Sequence, residues 1–318
     1  MKLSCLTAMA ATLLLVGCAT GGPKNEVPDF RDTDPMIAQL SSTARQAFDA
    51  GEVSKAVVLY RRALDRSRAM DNSREIGRNA YNLAISLMAL EDWDGAARLL
   101  MEAERETLRA GDDAAPILLL AAELARLRQD PKAAEAALDR LERGSVSDTM
   151  RGQAYVLRAN LACDRGDASR AEGFLQRARG YLRHDQDPGL AAGMAHAAGR
   201  IAIMKDRSAD AAAAFDLEAG WLQRARRLPE MADALERAGQ QFLLAGQVDA
   251  AADRFYRSAR SWMAQGHYVD ALRVIELAAP PENSSEAYDE ETLTAIMTLF
   301  DDIRRSVEQQ SRAGNTAP

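Results

Sequence analysis

Seven alanines recur along this chain at intervals close to forty residues. They are Ala56, Ala96, Ala134, Ala171, Ala211, Ala251 and Ala271, with successive gaps of 40, 38, 37, 40, 40 and 20. Each follows a short turn that carries glycine or aspartate, such as Gly51-Glu52 or Asp92-Trp93. Four residues after each alanine comes a bulky side chain: Tyr60, Leu100, Leu138, Leu175, Phe215, Phe255 or Ile275. A small residue usually follows three further on, as at Ala63, Ala103, Ala178 and Ala278. Steps of four and three keep all these side chains on one face of a helix. A period near forty fits a unit of two helices and two turns. The last gap is half a period, so the helix after Ala251 is expected to act as second helix of one unit and first helix of the next.

The composition agrees with helices. Hydrophobic residues make up 47% of the 318 but aromatics only 5%, and alanine and leucine supply most of the apolar side. Alanine loses no side-chain entropy in a helix and leucine loses little, while the β-branched and aromatic residues that favour sheets are scarce. Ten prolines and twenty glycines are enough to punctuate helices and too few for a β-sandwich. One pair of helices cannot bury its own apolar face, so neighbouring units must stack into a continuous core.

Six such units in register resemble the tetratricopeptide repeat (TPR) family over residues 36–279. The resemblance implies a small residue twelve positions before each marker alanine, in the first helix of the unit. Ala44, Ala84, Ala122, Ala159, Gly199 and Gly239 occupy those places. It also implies the fold class: all-α, a right-handed α-solenoid of TPR-like helical hairpins with a C-terminal capping helix. The chain departs from the family in its spacing, which is longer than the usual period of about 34 residues, and in lacking the proline that commonly ends a unit.

The N-terminus reads as an address. Residues 1–17 carry Lys2 and then an apolar run, Leu6 to Val16, far short of the roughly 20 residues that span a bilayer. This is the length of a signal-peptide core. Leu15-Val16-Gly17-Cys18 resembles the lipobox of bacterial lipoproteins, which implies cleavage before Cys18 and acylation of its thiol. An ordinary secretory signal with a chance cysteine is the competing reading. Residues 18–35, beginning Cys-Ala-Thr-Gly-Gly-Pro, are then expected to form a lipidated tether. Alanine rather than aspartate at position 19 implies, by resemblance to Gram-negative lipoproteins, the outer membrane facing the periplasm. Cys5 would leave with the signal, which makes Cys163 the remaining thiol, in an alanine-rich stretch that reads as core.

Beyond the repeats, Pro280-Pro281 and Asn283-Ser284-Ser285 break the chain. Leu293, Ile296, Met297, Leu299, Phe300, Ile303 and Val307 then trace a stripe over 285–308. This segment is expected to be a capping helix, with a dimerisation or docking helix as the alternative. Residues 309–318 read as a disordered tail.

Catalytic constellations are missing from the sequence. His184, His196 and His267 lie in different units without cysteines or paired acids at ligand spacing, so neither a metal nor a cofactor is expected. Asp185-Gln-Asp-Pro188 reads as a turn and helix cap rather than a calcium loop. The formal net charge is −7, unlike the basic footprint of a nucleic-acid binder. The resemblance implies a protein-binding groove lined by first helices. At its exposed positions it would place Arg45, Arg78, Tyr81, Asn82, Asn160, His196, Arg200 and Gln240, which are either partner-binding or ordinary solvated residues. The expected function is a non-enzymatic, membrane-tethered periplasmic scaffold or adaptor in cell-envelope assembly. That covers complexes of outer-membrane protein insertion, secretion or pilus biogenesis, and cell-wall synthesis. A polysaccharide-binding or enzymatic accessory is the alternative and would want an aromatic row, for which Trp93, Trp221 and Trp262 are the available residues. A homo-oligomeric structural protein is a third.

Overall fold

The computed structural model describes residues 34–182, 187–278 and 290–315, with side chains to residue 310. The signal peptide, Cys18, the tether up to residue 33, His184 and the proline-rich break at 280–285 lie outside the described residues. Among the described residues every regular element is an α-helix and there is no strand.

The chain divides into two compact units, with the boundary between Met150 and Arg151. The first contains α1 (Pro35–Asp49), α2 (Val53–Ala69), α3 (Ser73–Ala89), α4 (Trp93–Arg109), α5 (Ala115–Leu127) and α6 (Pro131–Arg143). The second begins within α7 (Asp148–Asp164). It continues through α8 (Ala168–Arg179), α9 (Pro188–Met204), α10 (Ser208–Arg224), α11 (Leu228–Leu244), α12 (Val248–Ala264), α13 (Tyr268–Leu277) and α14 (Glu290–Asn315). Within each unit helices pack on their neighbours in sequence, α1 on α2 and α3 on α4 in the first, α9 through α13 in the second.

Local chemistry sets the helix ends. Asp34, Asn72, Asp92, Asp130, Asp167 and Asp187 are N-caps whose side chains accept hydrogen bonds from backbone N–H groups of the first turn, satisfying donors that have no helical partner. Asp187 thus caps α9, as expected of the turn before Pro188. The helix C-termini close by doubled backbone bonds: after α1, Gly51 N–H donates to Phe48 O at 3.0 Å and Glu52 N–H to Ala47 O at 2.8 Å. This closure needs a left-handed residue. Gly51 supplies it at φ 78°, but Gln129 and Arg226 occupy the same place at φ 59° and 57°.

The repeat markers all face the core. Ala56, Ala96, Ala134, Ala171, Ala211, Ala251 and Ala271 are buried, and so are the bulky residues four later. The first-helix small residues are buried as well. Their size is matched to what they meet. Where the second helix offers leucine, as at Leu100, Leu138 and Leu175, the first-helix residue is alanine. Where it offers phenylalanine, the first-helix residue is glycine. A Cβ on Gly199 would lie 2.6 Å from Phe215 Cε1, and one on Gly239 would lie 2.8 Å from Phe255 Cε1. Both distances are below contact, so the glycine is what admits the ring, although mid-helix glycine costs about 1 kcal/mol.

At the C-terminus α12 packs on α11 before it and on α13 and α14 after it. Ile296, Leu299 and Ile303 of α14 are buried in one cluster with Phe255, Val274 and Ile275. The helix therefore covers the end of the second unit. Met297 falls off the apolar stripe and is 60% exposed. The helix also runs past the expected boundary at 308 and through part of the segment read as a disordered tail. No proline or glycine interrupts 309–313, and the helix ends at Gly314-Asn315.

Replacing Gly199 by alanine is expected to cost about 1–3 kcal/mol through overpacking against Phe215. The double change Gly199→Ala with Phe215→Leu recreates the alanine–leucine match of other hairpins. It should recover much of that loss, as a non-additive double-mutant cycle in urea unfolding.

Candidate functional site

The eight residues expected on a binding surface do not share one environment. In the first unit Arg45 is exposed and near Asp49 at 3.8 Å, and Arg78 is exposed and paired with Glu75 at 3.0 Å. Tyr81 packs against the core, and burial pushes its hydroxyl up to about 12. Asn82 is half-buried. In the second unit Asn160 and His196 are buried. Arg200 of α9 reaches back to α7, donating to Asn160 Oδ1 at 3.1 Å and to Asp164 at 2.6 Å. Gln240 is exposed and donates to Glu236 at 3.2 Å. Asn160, Arg200 and His196 thus hold helices together, while Arg45, Arg78 and Gln240 remain on the surface.

Sequence reasoning overlooked a buried polar centre in the second unit. Glu218 of α10, 1% exposed, stands where other hairpins carry Ala63, Ala103 or Ala178. Its carboxylate lies 3.2 Å from His196 Nδ1 on α9 and accepts from Arg237 on α11 at 2.9 Å. Burial alone would raise the Glu218 carboxyl. The charge and hydrogen bonds of Arg237 and His196 outweigh it and hold the group below its ordinary range. Phe215 touches the same partners, with Arg237 over its ring at 5.5 Å and the tilted His196 ring at 5.9 Å. The only signal in the sequence was a charged residue breaking the small-residue pattern after Phe215.

The first unit carries an apolar cleft of about 610 Å³ between α4, α5 and α6. Leu100, Leu124 and several alanines line it, among them Ala133 and Ala136 on the exposed face of α6. Met101, 71% exposed, stands at its mouth. Arg140 is paired with Glu104 across from α6 to α4, and Arg128 with Asp94 at 3.0 Å. The cleft opens where α5 and α6 are short, 13 residues each against 17 in α3 and α4.

No family model matches the chain, and no curated sequence matches it. Solved structures do. A Signal Transduction ATPase with Numerous Domains protein with a tetratricopeptide repeat sensor, from Pyrococcus horikoshii, is similar over 82% of this chain and 42% of its own, at 14% identity and a TM-score of 0.54. The APC/C hetero-tetramer Cut9–Hcn1 is similar over 86% of this chain and 50% of its own, at 14% identity and a TM-score of 0.49. A tetratricopeptide repeat protein from Parabacteroides merdae ATCC 43184 is similar over 84% and 99%, at 13% identity and a TM-score of 0.42. This chain spans half or less of the first two.

The fold is that of a TPR protein.

Within that fold two features distinguish this chain. The TPR hairpin of α9 and α10 has a carboxylate in place of a small core residue, and the hairpin of α5 and α6 is shortened beside an open cleft. The tryptophans form no exposed row: Trp262 is buried, Trp93 is half-buried against the core, and Trp221 is half-buried beneath Arg224 at 4.6 Å. Among the described residues no group of three or more metal-ligating side chains gathers. Cys163 is buried among α7, α8 and α9, as read from its surroundings.

Glu218→Gln is expected to lower stability at pH 7 by about 3–5 kcal/mol, because it breaks a buried pair and strands Arg237. The folded-state carboxyl is lowered, so its stabilisation is present above the unfolded value, near 4.3, and is lost as pH falls through the folded one. The difference in urea stability between the two proteins should therefore be constant above the unfolded value and shrink only as pH is lowered below it.

Proposed function

We propose that this TPR chain is a non-enzymatic protein–protein scaffold or adaptor, held by lipid at Cys18 on a bacterial envelope membrane and facing the periplasm. The observation that carries the interaction role is the apolar cleft of α4, α5 and α6, open to solvent. Its volume lies in the range that receives a ligand or a few side chains, roughly 300–1,000 Å³. Alanine walls let a guest backbone come close, as small residues do wherever helices cross tightly. The rim pairs acids with arginines, so no single charge dominates. The guest that fits is a helix of a partner protein, aliphatic on one face and polar at its edges.

The address rests on the N-terminal sequence. Among the described residues no helix is long and apolar enough to cross a membrane. An acylated Cys18 would supply attachment instead, with several acyl chains needed for stable anchoring. Work in cell-envelope assembly follows from that address together with the fold.

Two experiments test these readings separately. Ala136→Arg adds a charged side chain to the exposed wall of the cleft and is expected to leave thermal stability within about 0.5 kcal/mol of the original. Chemical cross-linking in native membranes should trap one stoichiometric partner with the original chain and at least tenfold less with the variant. Equal trapping, or no stoichiometric partner, refutes the scaffold. Mass spectrometry of the chain from its host should show a mature N-terminus at acylated Cys18, and Cys18→Ser should release the protein from the membrane fraction. An unacylated residue 18 refutes the address.

A further inference from the structure

Three aromatic rings of the second unit gather between α7 and α8. Tyr155 of α7 stacks on Phe174 of α8, with centroids 6.4 Å apart and planes 28° from parallel. It also stacks on Tyr181, just past the end of α8, at 5.8 Å and 17°. All three are half-buried, and Tyr155 and Phe174 rest on the core of α7, α8 and α9. Arginines cover these rings. Arg170 and Arg177 lie over Phe174, at 5.5 and 6.0 Å from its centroid. Arg177 and Arg158 lie over Tyr155, each at 5.9 Å. Among the described residues two arginines share a ring only here.

Two of these arginines lack a counter-charge. Arg170 and Arg177 are exposed, and neither guanidinium makes a hydrogen bond or ion pair with a described residue. Two ring-mounted arginines further along the unit differ: Arg237 over Phe215 also holds Glu218, and Arg254 over Phe242 holds Asp216 at 2.5 Å. The acids around Arg170 and Arg177 are committed elsewhere. Asp164 accepts from Arg200 at 2.6 Å, Asp167 caps α8 by accepting from the backbone N–H of Arg170 at 2.9 Å, and Glu172 is paired with Lys205. Two like charges held beside one ring repel each other until an anion lies between them. A guanidinium stacked on a ring uses its flat face and keeps its N–H edge, which fits a carboxylate at two points. Stacking also holds the long side chain still, so less freedom is lost when the anion arrives.

We propose that Arg170 and Arg177, mounted on Phe174 and Tyr155, form a docking site for an acidic peptide segment of a partner protein, with a carboxylate bridging the two guanidiniums. Charge decides between the anions that could come. The chain as a whole carries −7, which repels an extended polyanion or an anionic membrane surface around so small a patch. A short acidic segment sets its charge on the arginines alone, within the roughly 8–10 Å over which charges are felt in physiological salt. A sugar finds the ring faces already covered. The site belongs to the other unit from the apolar cleft and uses charge where the cleft uses shape. It goes beyond the scaffold reading, and neither depends on the other.

The test uses the full chain and a fluorescein-labelled, end-blocked peptide of six glutamates, followed by fluorescence anisotropy at about 50 mM salt, where surface charges are weakly screened. A peptide of six glutamines is the control. The glutamate peptide is expected to bind and the glutamine peptide not. Arg170→Gln and Arg177→Gln, both at exposed positions, should each weaken binding roughly tenfold. Arg177→Lys keeps the charge but loses the flat fork and should bind at least about threefold more weakly than the original. Phe174→Leu leaves every arginine in place and should also weaken binding about threefold, because the platform is gone. Arg304→Gln, on α14, where a single arginine rests on Phe300, should stay within about twofold of the original, as a surface change away from the site does. Thermal melting checks that each variant is folded. No binding, undiminished binding by Arg177→Lys, or an equal loss in Arg304→Gln overturns the proposal. So does tighter binding to phosphatidylglycerol vesicles than to the peptide, lost in the same variants, which would make this surface a membrane contact.

Discussion

The contact between a small residue on the first helix and a bulky one on the second, sixteen positions later, is the constraint on which the rest of this structure depends. Two helix axes can approach closely only where a side chain is missing, and the gap must then be filled to crystal-like density. Alanine against leucine and glycine against phenylalanine are two solutions to the same volume problem. The glycine solution gives up helix propensity at Gly199 and Gly239 and gains ring burial at Phe215 and Phe255. Once each crossing is fixed, the turns can stay short, the caps fall at regular intervals, and the next hairpin is delivered to the previous one at nearly constant register.

Constant register has an electrostatic consequence. Polar and charged pairs between adjacent hairpins recur at close to one repeat in sequence: Ser41–Asn79, Arg68–Glu102, Arg140–Glu104, Arg200–Asp164, Arg254–Asp216 and Arg273–Glu236. Most are partly exposed, and each such pair contributes about 0–1 kcal/mol. Their regularity matters more than their strength, because a stack of like units can slip and a wrong register would pair none of them. The buried members act differently. Asn79 is enclosed and fully engaged, accepting from Ser41 at 2.7 Å and donating to Ser67 at 3.2 Å and to the Glu75 carbonyl at 2.9 Å. It ties α1, α2 and α3 at one point, where a broken bond would leave a costly unsatisfied group.

The two units spend their irregularities on different things. In the first, an apolar space beside the short α5–α6 hairpin is left unfilled among the described residues. In the second, every helix is used to bury its neighbour, and the irregularity is polar: a carboxylate at a core position, balanced by an arginine and a histidine from either side. An apolar opening suits shape recognition, and a balanced buried charge cluster is costly to break, because low surrounding polarity magnifies each charge.

Much of the fold was legible in one dimension because helix period and repeat period are both properties of spacing. Ala56 through Ala271, their bulky partners and the first-helix small residues could be placed in the core from sequence alone, since any helix with that pattern has only one apolar face to bury. The site was less legible. Asn160 and His196 fall at positions that face outward on an isolated helix, and both are buried under neighbouring helices, Asn160 held by Arg200 of α9 and His196 against Glu218 and Phe215 of α10. Glu218 and Asp233 are ordinary acids in the sequence; burial raises both, and only the reach of Arg237 and His196 from neighbouring helices brings Glu218 back down. The cleft in the first unit is lined largely by alanines of α4, α5 and α6, which in sequence read as close helix packing; that a space remains beside them depends on the distance between the helices. Periodicity by itself determined which residues go inside. Tertiary structure decided which polar groups meet and where space is left over, because those depend on distances between helices that no local pattern encodes.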